Sequence, residues 1–205
     1  MNRTKEGVKM ATRTTPGEGD YNLSDPINTF IDTVRRVVLQ PVGFFASLPR
    51  SRNLVNPLVF AVICIEISAV LGGLLGLVGV GANRGLGSFI GSIIAAPIGG
   101  AIGLFIVAGI LHLLVRLVIG AGNSGFEATF RVAAYAAVVN LVSWIPLVGW
   151  LLGLYGIYLA VIGIREMHGT TTGKAALVVL IPAGVILLLV LVGLLAAGAV
   201  FLSRL

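Results

Sequence analysis

The side chains that could do chemistry in this sequence are few, and most of them sit in apolar surroundings. Glu66 lies about nine residues into an otherwise uncharged apolar run that opens at Pro57. Asn140 falls at similar depth in a later run. His112 and Arg116 stand four apart, hence on one helix face, in the run between them. A carboxylate near a bilayer midplane costs several kcal/mol when charged and unpaired, so Glu66 should carry a proton, find a partner or face a cavity. Helices that bring Glu66 to His112 or Asn140 would build a buried polar cluster, with His112 and Arg116 closer to the cytoplasm. Such a cluster serves either as a structural clasp or as a step in a proton or ion path.

Other reactive patterns fail on spacing. Gly169-Thr170-Thr171-Thr172-Gly173-Lys174-Ala175 invites comparison with a phosphate-binding P-loop, which needs four residues between its glycines and a Ser or Thr after the lysine. Here three residues intervene and Ala175 follows, so nucleotide hydrolysis is rejected and the threonines read as caps of the next helix. His112 and His168 lack the spacing of a zinc motif, and Cys64, inside an apolar run, is the single cysteine. No metal site, cofactor or internal disulfide is expected. Ser68, Ser88, Ser92 and Ser143 lie in or beside apolar runs without a base and an orienting group, so the chain reads as a non-enzyme.

The elements that position these residues must be membrane helices. Of 205 residues, 57% are hydrophobic and 11% charged, and mean hydropathy is +1.04. Soluble domains carry about 25% charged residues, so water is the wrong solvent for most of this surface. The net charge of +6 does not point to nucleic acid, because the basic residues stand at the ends of apolar runs rather than in a patch interleaved with aromatics. The fold expected is all-α: a polytopic transmembrane helical bundle with about five spans, near residues 57–80, 89–119, 127–145, 150–164 and 175–202 of a membrane domain at 57–203.

Ahead of it, residues 1–24 are polar and aperiodic, expected to be a disordered cytoplasmic tail. Residues 25–50 read as an amphipathic interfacial segment. Asp25-Pro26 supplies an N-cap and a first-turn proline, and Ile27, Phe30, Ile31, Val34, Val37 and Val38 recur at helical spacing beside Asp32, Arg35 and Arg36. Pro41 ends that helix. Phe44 and Phe45 suit anchors at headgroup level, as do Trp144 and Trp150 around a tight turn. The first apolar run starts too far from Met1 for a cleavable signal, so the first span is expected to act as an uncleaved anchor.

With the amino terminus in the cytoplasm, twelve basic residues (Arg3, Lys5, Lys9, Arg13, Arg35, Arg36, Arg50, Arg52, Arg116, Arg131, Arg165, Lys174) lie inside, against Arg84 and Arg204 outside. That bias requires an odd number of spans and puts the carboxyl terminus outside. Small residues spaced by four, Gly72 with Gly76, Gly99 with Gly103 and Gly149 with Gly153, permit close helix crossings within the chain or with another subunit. The partners expected are membrane lipid and other integral membrane proteins, an exporter complex among them. Self-association is open through the same faces.

Three places carry a family resemblance. One is Pro41-Val42-Gly43-Phe44-Phe45 before the first span. Another is Phe130-Arg131-Val132-Ala133-Ala134-Tyr135, followed by Ile145-Pro146-Leu147-Val148-Gly149-Trp150. The last is Gly163-Ile164-Arg165-Glu166-Met167-His168-Gly169, ahead of Lys174-Ala175-Ala176 and Ile181-Pro182. In this order, over roughly residues 41–200, they resemble the Yip family, the Ypt/Rab-interacting membrane proteins, in its shorter prokaryotic form. The resemblance implies five spans, a cytoplasmic amino-terminal tail, no known catalysis and, for this form, a prokaryotic cell membrane. A small GTPase is implied as partner only by analogy with eukaryotic relatives, whose Asp-Leu-Tyr-Gly-Pro segment this chain lacks. No family site residue carries over. The expected function is a scaffold or adaptor that organises membrane proteins or lipid, and the alternative is a small channel or transporter using Glu66, His112 and Asn140.

Overall fold

A computed structural model of the chain describes residues 20–49, 53–80, 85–145 and 147–203. The tail before Asp20, Arg50, Arg52, Asn83, Arg84, Pro146, Arg204 and the Trp150 side chain lie outside the described set. Every regular element among the described residues is helical.

Helix α1 (Pro26–Leu39) begins behind Asp25, with proline where a missing N–H costs nothing. The Asp25 carboxylate does not cap the backbone but accepts from the Asn28 side-chain amide at 3.0 Å. The chain bends at Gln40, and Pro41 opens α2 (Pro41–Ser47). One face of α1 is buried through Thr33 and Val37, while Ile27, Ile31 and Leu39 on other faces are exposed. Phe44 and Phe45 differ from the anchors expected. Each is 1% exposed and points into the bundle, Phe44 with its ring edge-on to Tyr135 at 5.0 Å and Phe45 against Gly163. They fasten the segment to protein, not to lipid.

Among the described residues four helices are long and apolar enough to cross a membrane: α3 (Val55–Leu77), α4 (Leu86–Val118), Leu151–His168 within α7 (Val148–His168), and Thr172–Val200 within α8 (Thr172–Leu202). The span expected to stop at residue 164 continues to His168, where Gly169 adopts the left-handed conformation that ends helices. The segment expected as one continuous third span is instead broken into α5 (Phe126–Ala136), a 3-10 turn at Ala137–Val139 and α6 (Asn140–Ser143). Side chains donate to backbone carbonyls here: Asn140 Nδ2 to the Ala137 carbonyl at 2.9 Å and Ser143 Oγ to the Asn140 carbonyl at 3.0 Å. Such back-bonding bends helices.

This broken segment nevertheless runs most of the length of α3. At one end Arg131 Nη2 donates to the Asn53 carbonyl at 2.7 Å. At the other, the Ser143 and Ser68 hydroxyls are 2.9 Å apart and Trp144 packs on Gly72. Residues 55 to 72 of α3 cover about 26 Å. Ala128 through Tyr135 are all buried, because α5 is enclosed by α3, α4 and α7. It is the core helix of the bundle.

Close contacts use some of the expected glycines and others besides. A Cβ on Gly99, Gly103 or Gly153 would meet nothing within 4 Å, whereas one on Gly73 would stand 2.5 Å from Phe89 and one on Gly100 2.9 Å from Ile65. Of the expected set, Gly149 is tight against the Ser143 backbone, Gly72 is in ordinary contact with Trp144 and Gly76 is buried. Gly163 is pressed from two elements at once, with Val132 of α5 at 2.6 Å and Phe45 of α2 at 3.1 Å from a Cβ position. Gly163→Ala is therefore expected to destabilise the bundle by about 1–3 kcal/mol despite alanine's better helix propensity. Gly103→Ala should leave the melting temperature unchanged or raise it, and thermal unfolding of both variants in one detergent checks the contrast.

Candidate functional site

The polar residues singled out in the sequence do not converge. Asn140 spends its amide on the 3-10 turn just before it, and His112 turns to α5 rather than to Glu66. Glu66 is half-buried on α3, with its Oε2 atom buried and lacking a hydrogen-bond partner. Arg116 is exposed near the end of α4. Among the described residues no group of three or more metal-ligating side chains comes together.

His112 belongs to a different network, one that links three helices through a residue the sequence did not flag. Thr129, fully buried on α5, places its hydroxyl 3.1 Å from His112 Nδ1 on α4 and 3.1 Å from His168 Nε2 at the end of α7. The Ser124 backbone N–H donates to His168 Nδ1 at 3.1 Å. An amide can only donate, so His168 Nδ1 is an acceptor and the ring proton sits on Nε2, directed at Thr129 Oγ1. The Thr129 hydroxyl proton is then free to reach His112 Nδ1. The hydrogen bonds run in one direction, from the α4–α5 loop across α7 and α5 into α4.

Thr129→Val keeps the shape and removes the hydroxyl, leaving the buried His168 Nε2–H without this acceptor. A loss of about 2 kcal/mol is expected, with Thr129→Ser close to wild type, as read by thermal unfolding. The threonines after Gly169 have a plainer role: Thr171 Oγ1 accepts from the Lys174 backbone N–H at 3.4 Å, capping α8.

A second buried network lies on another face of α5. Arg131, 0% exposed, pairs through Nη1 with the Asp20 carboxylate, whose other oxygen accepts from the Tyr135 hydroxyl. The Tyr21 backbone N–H donates back to the Tyr135 oxygen at 3.2 Å, and the Tyr21 ring packs against Phe30 and Phe60. Asp20 and Tyr21, placed by the sequence in the disordered tail, are thus docked. The two partners stand 111 residues apart in the chain.

Facing away from that network, an apolar groove of about 600 Å³ opens between α4, α5, α7 and α8. Gly103, Val107, Ala136, Gly156 and Ile186 line it, with Asn140 as its polar residue. Gly103 and Gly153 hollow this groove out instead of packing helices.

Long apolar helices around a buried core helix define a multi-pass α-helical membrane protein. The family model for the Yip1 domain matches residues 35–194, which covers α3 through most of α8 and part of the α1–α2 segment. The chain belongs to the Yip1 domain family. No curated protein and no solved structure matches it.

Proposed function

We propose that this Yip-family protein is a non-enzymatic scaffold or adaptor that organises other membrane proteins or lipid, with a trafficking-like role by analogy with eukaryotic relatives. The observation that carries this reading is the far half of α8, where every residue from 184 to 200 is exposed. A helix that leaves so much apolar surface to its surroundings is suited to meet a partner helix or lipid. The polar side chains, by contrast, are largely spent on internal bonds. The apolar groove supports lipid organisation, since at hydrocarbon depth an acyl chain is what fills it.

The orientation proposed is amino terminus in the cytoplasm and carboxyl terminus outside, in a prokaryotic cell membrane. The broken α5–α6 segment then counts as the fifth crossing, as its reach along α3 supports. Residues 1–24 form the cytoplasmic tail and 25–50 an interfacial platform, whose exposed Ile27, Ile31 and Leu39 meet lipid. Partners are other integral membrane proteins, an exporter complex among them, or a second copy. A small GTPase enters by family analogy alone. Gentle detergent extraction of the tagged full chain, with mass-spectrometric identification of what stays bound, tests the scaffold. A stoichiometric partner that photo-crosslinks from position 188 or 195 supports it, and an empty capture in several mild detergents overturns it.

The second reading, a small channel or transporter, is favoured by the partnerless Oε2 of Glu66. It expects solute or proton flux in proteoliposomes that Glu66→Gln abolishes without lowering the melting temperature. Flux absent from the wild type removes it.

A further inference from the structure

We infer that Arg131 and Tyr135 form an oxyanion-binding socket, filled in cis by the Asp20 carboxylate and open to an external carboxylate or phosphate when residues 20–25 lift away. The two donors stand one helical turn apart on α5 and address different oxygens of one carboxylate, the two-oxygen recognition expected of an oxyanion receptor. Their positions are set by the bundle. Arg131 is also held by the Asn53 carbonyl at 2.7 Å, and the Tyr135 ring is fixed between Phe44 at 5.0 Å and Phe60 at 5.1 Å.

The ligand comes from a different part of the chain. Asp20 belongs to the segment ahead of α1, which is held by the buried Tyr21, through one backbone hydrogen bond and ring contacts with Phe30 and Phe60, and by Asn22, whose carbonyl accepts from the Thr29 hydroxyl of α1 at 3.0 Å. The socket is therefore built whether or not its ligand is present. A guanidinium buried without an anion is strongly disfavoured, so a socket that loses Asp20 must take another oxyanion or destabilise the bundle. The phosphate of an anionic phospholipid headgroup and a free anion present the same pair of acceptor oxygens.

The test uses full-length Asp20→Ala in nanodiscs, with sodium acetate, inorganic phosphate and chloride compared at matched ionic strength. In chloride and zwitterionic lipid the variant is expected to melt about 10 °C below wild type. Acetate or phosphate should restore most of that loss with a saturable dependence, and the further change Arg131→Gln should abolish the recovery. Recovery in phosphatidylglycerol nanodiscs without added acetate or phosphate identifies a lipid headgroup as the external source. Recovery by the soluble anions alone identifies a free anion. If Asp20→Ala does not purify in chloride, folded yield with acetate present from lysis onward gives the same comparison, and recovery supports the socket. A variant that melts like wild type, or one that no oxyanion restores, overturns it.

Discussion

Arg131→Met is expected to cost about 3–5 kcal/mol and to deplete the folded protein in detergent. Methionine fills much the same space, so the loss comes from the groups left behind. The Asp20 carboxylate loses its guanidinium partner, and the Asn53 carbonyl loses the donor at 2.7 Å. With side chains 0% and 11% exposed, the pair is little screened by solvent, unlike surface ion pairs worth under about 1 kcal/mol. Arg131→Lys should fall between, because one ammonium cannot reproduce a planar fork that reaches both Asp20 and Asn53. Adding Asp20→Leu to Arg131→Met should recover much of the loss, since replacing both members of a buried pair with apolar groups is often near neutral. Thermal unfolding of the four proteins separates these outcomes, and near-equal melting of wild type and Arg131→Met would contradict the geometry.

Phe44→Ala has the next largest expected effect, about 3–5 kcal/mol. The ring is buried, packs edge-on against Phe45 and Tyr135, and lies under the Arg36 guanidinium at 5.6 Å. Its removal opens a cavity where α2 meets the core helix and releases the clamp on Tyr135. A lipid-facing anchor would behave differently: truncation would weaken membrane partition of the segment and change bundle stability by only a few tenths of a kcal/mol. Melting temperature with and without added lipid distinguishes a core ring from an anchor.

The contrast between these two residues explains what was legible in the sequence. Long apolar runs mark α3, α4 and α8 unambiguously, because hydropathy over twenty residues leaves few other environments. Hydropathy alone cannot say which side of a helix faces protein, so Phe44 and Phe45 read as lipid anchors although they are buried. The glycine pairs suffered the same ambiguity: Gly99 and Gly103 share a face, but Gly100, one residue round the helix, is the one that meets Ile65. The break at residues 137–143 was hidden because its Ala and Val content matches that of an unbroken span, and the bend comes from Asn140 and Ser143 bonding locally. The sequence suggested a similar depth for Glu66 and Asn140 and a place closer to the cytoplasm for His112, but not azimuth, and His112 and Asn140 make their hydrogen bonds elsewhere. Thr129 carried no charge to draw attention, and Asp20 stood in a polar stretch with no periodicity to suggest docking.

The enclosure of α5 also bears on how the protein is made. A segment carrying Glu127, Thr129 and Arg131 within its first six residues partitions poorly into lipid on its own, since an arginine at depth costs about 3 kcal/mol on insertion scales. Its wall on one side, α3 and α4, is synthesised before it, but α7, which supplies His168 to Thr129 and Gly163 to Val132, emerges afterwards. The core helix is therefore expected to settle only after the helix that completes its surroundings has been made. The order of synthesis makes the most buried element of the bundle one of the last to reach its place.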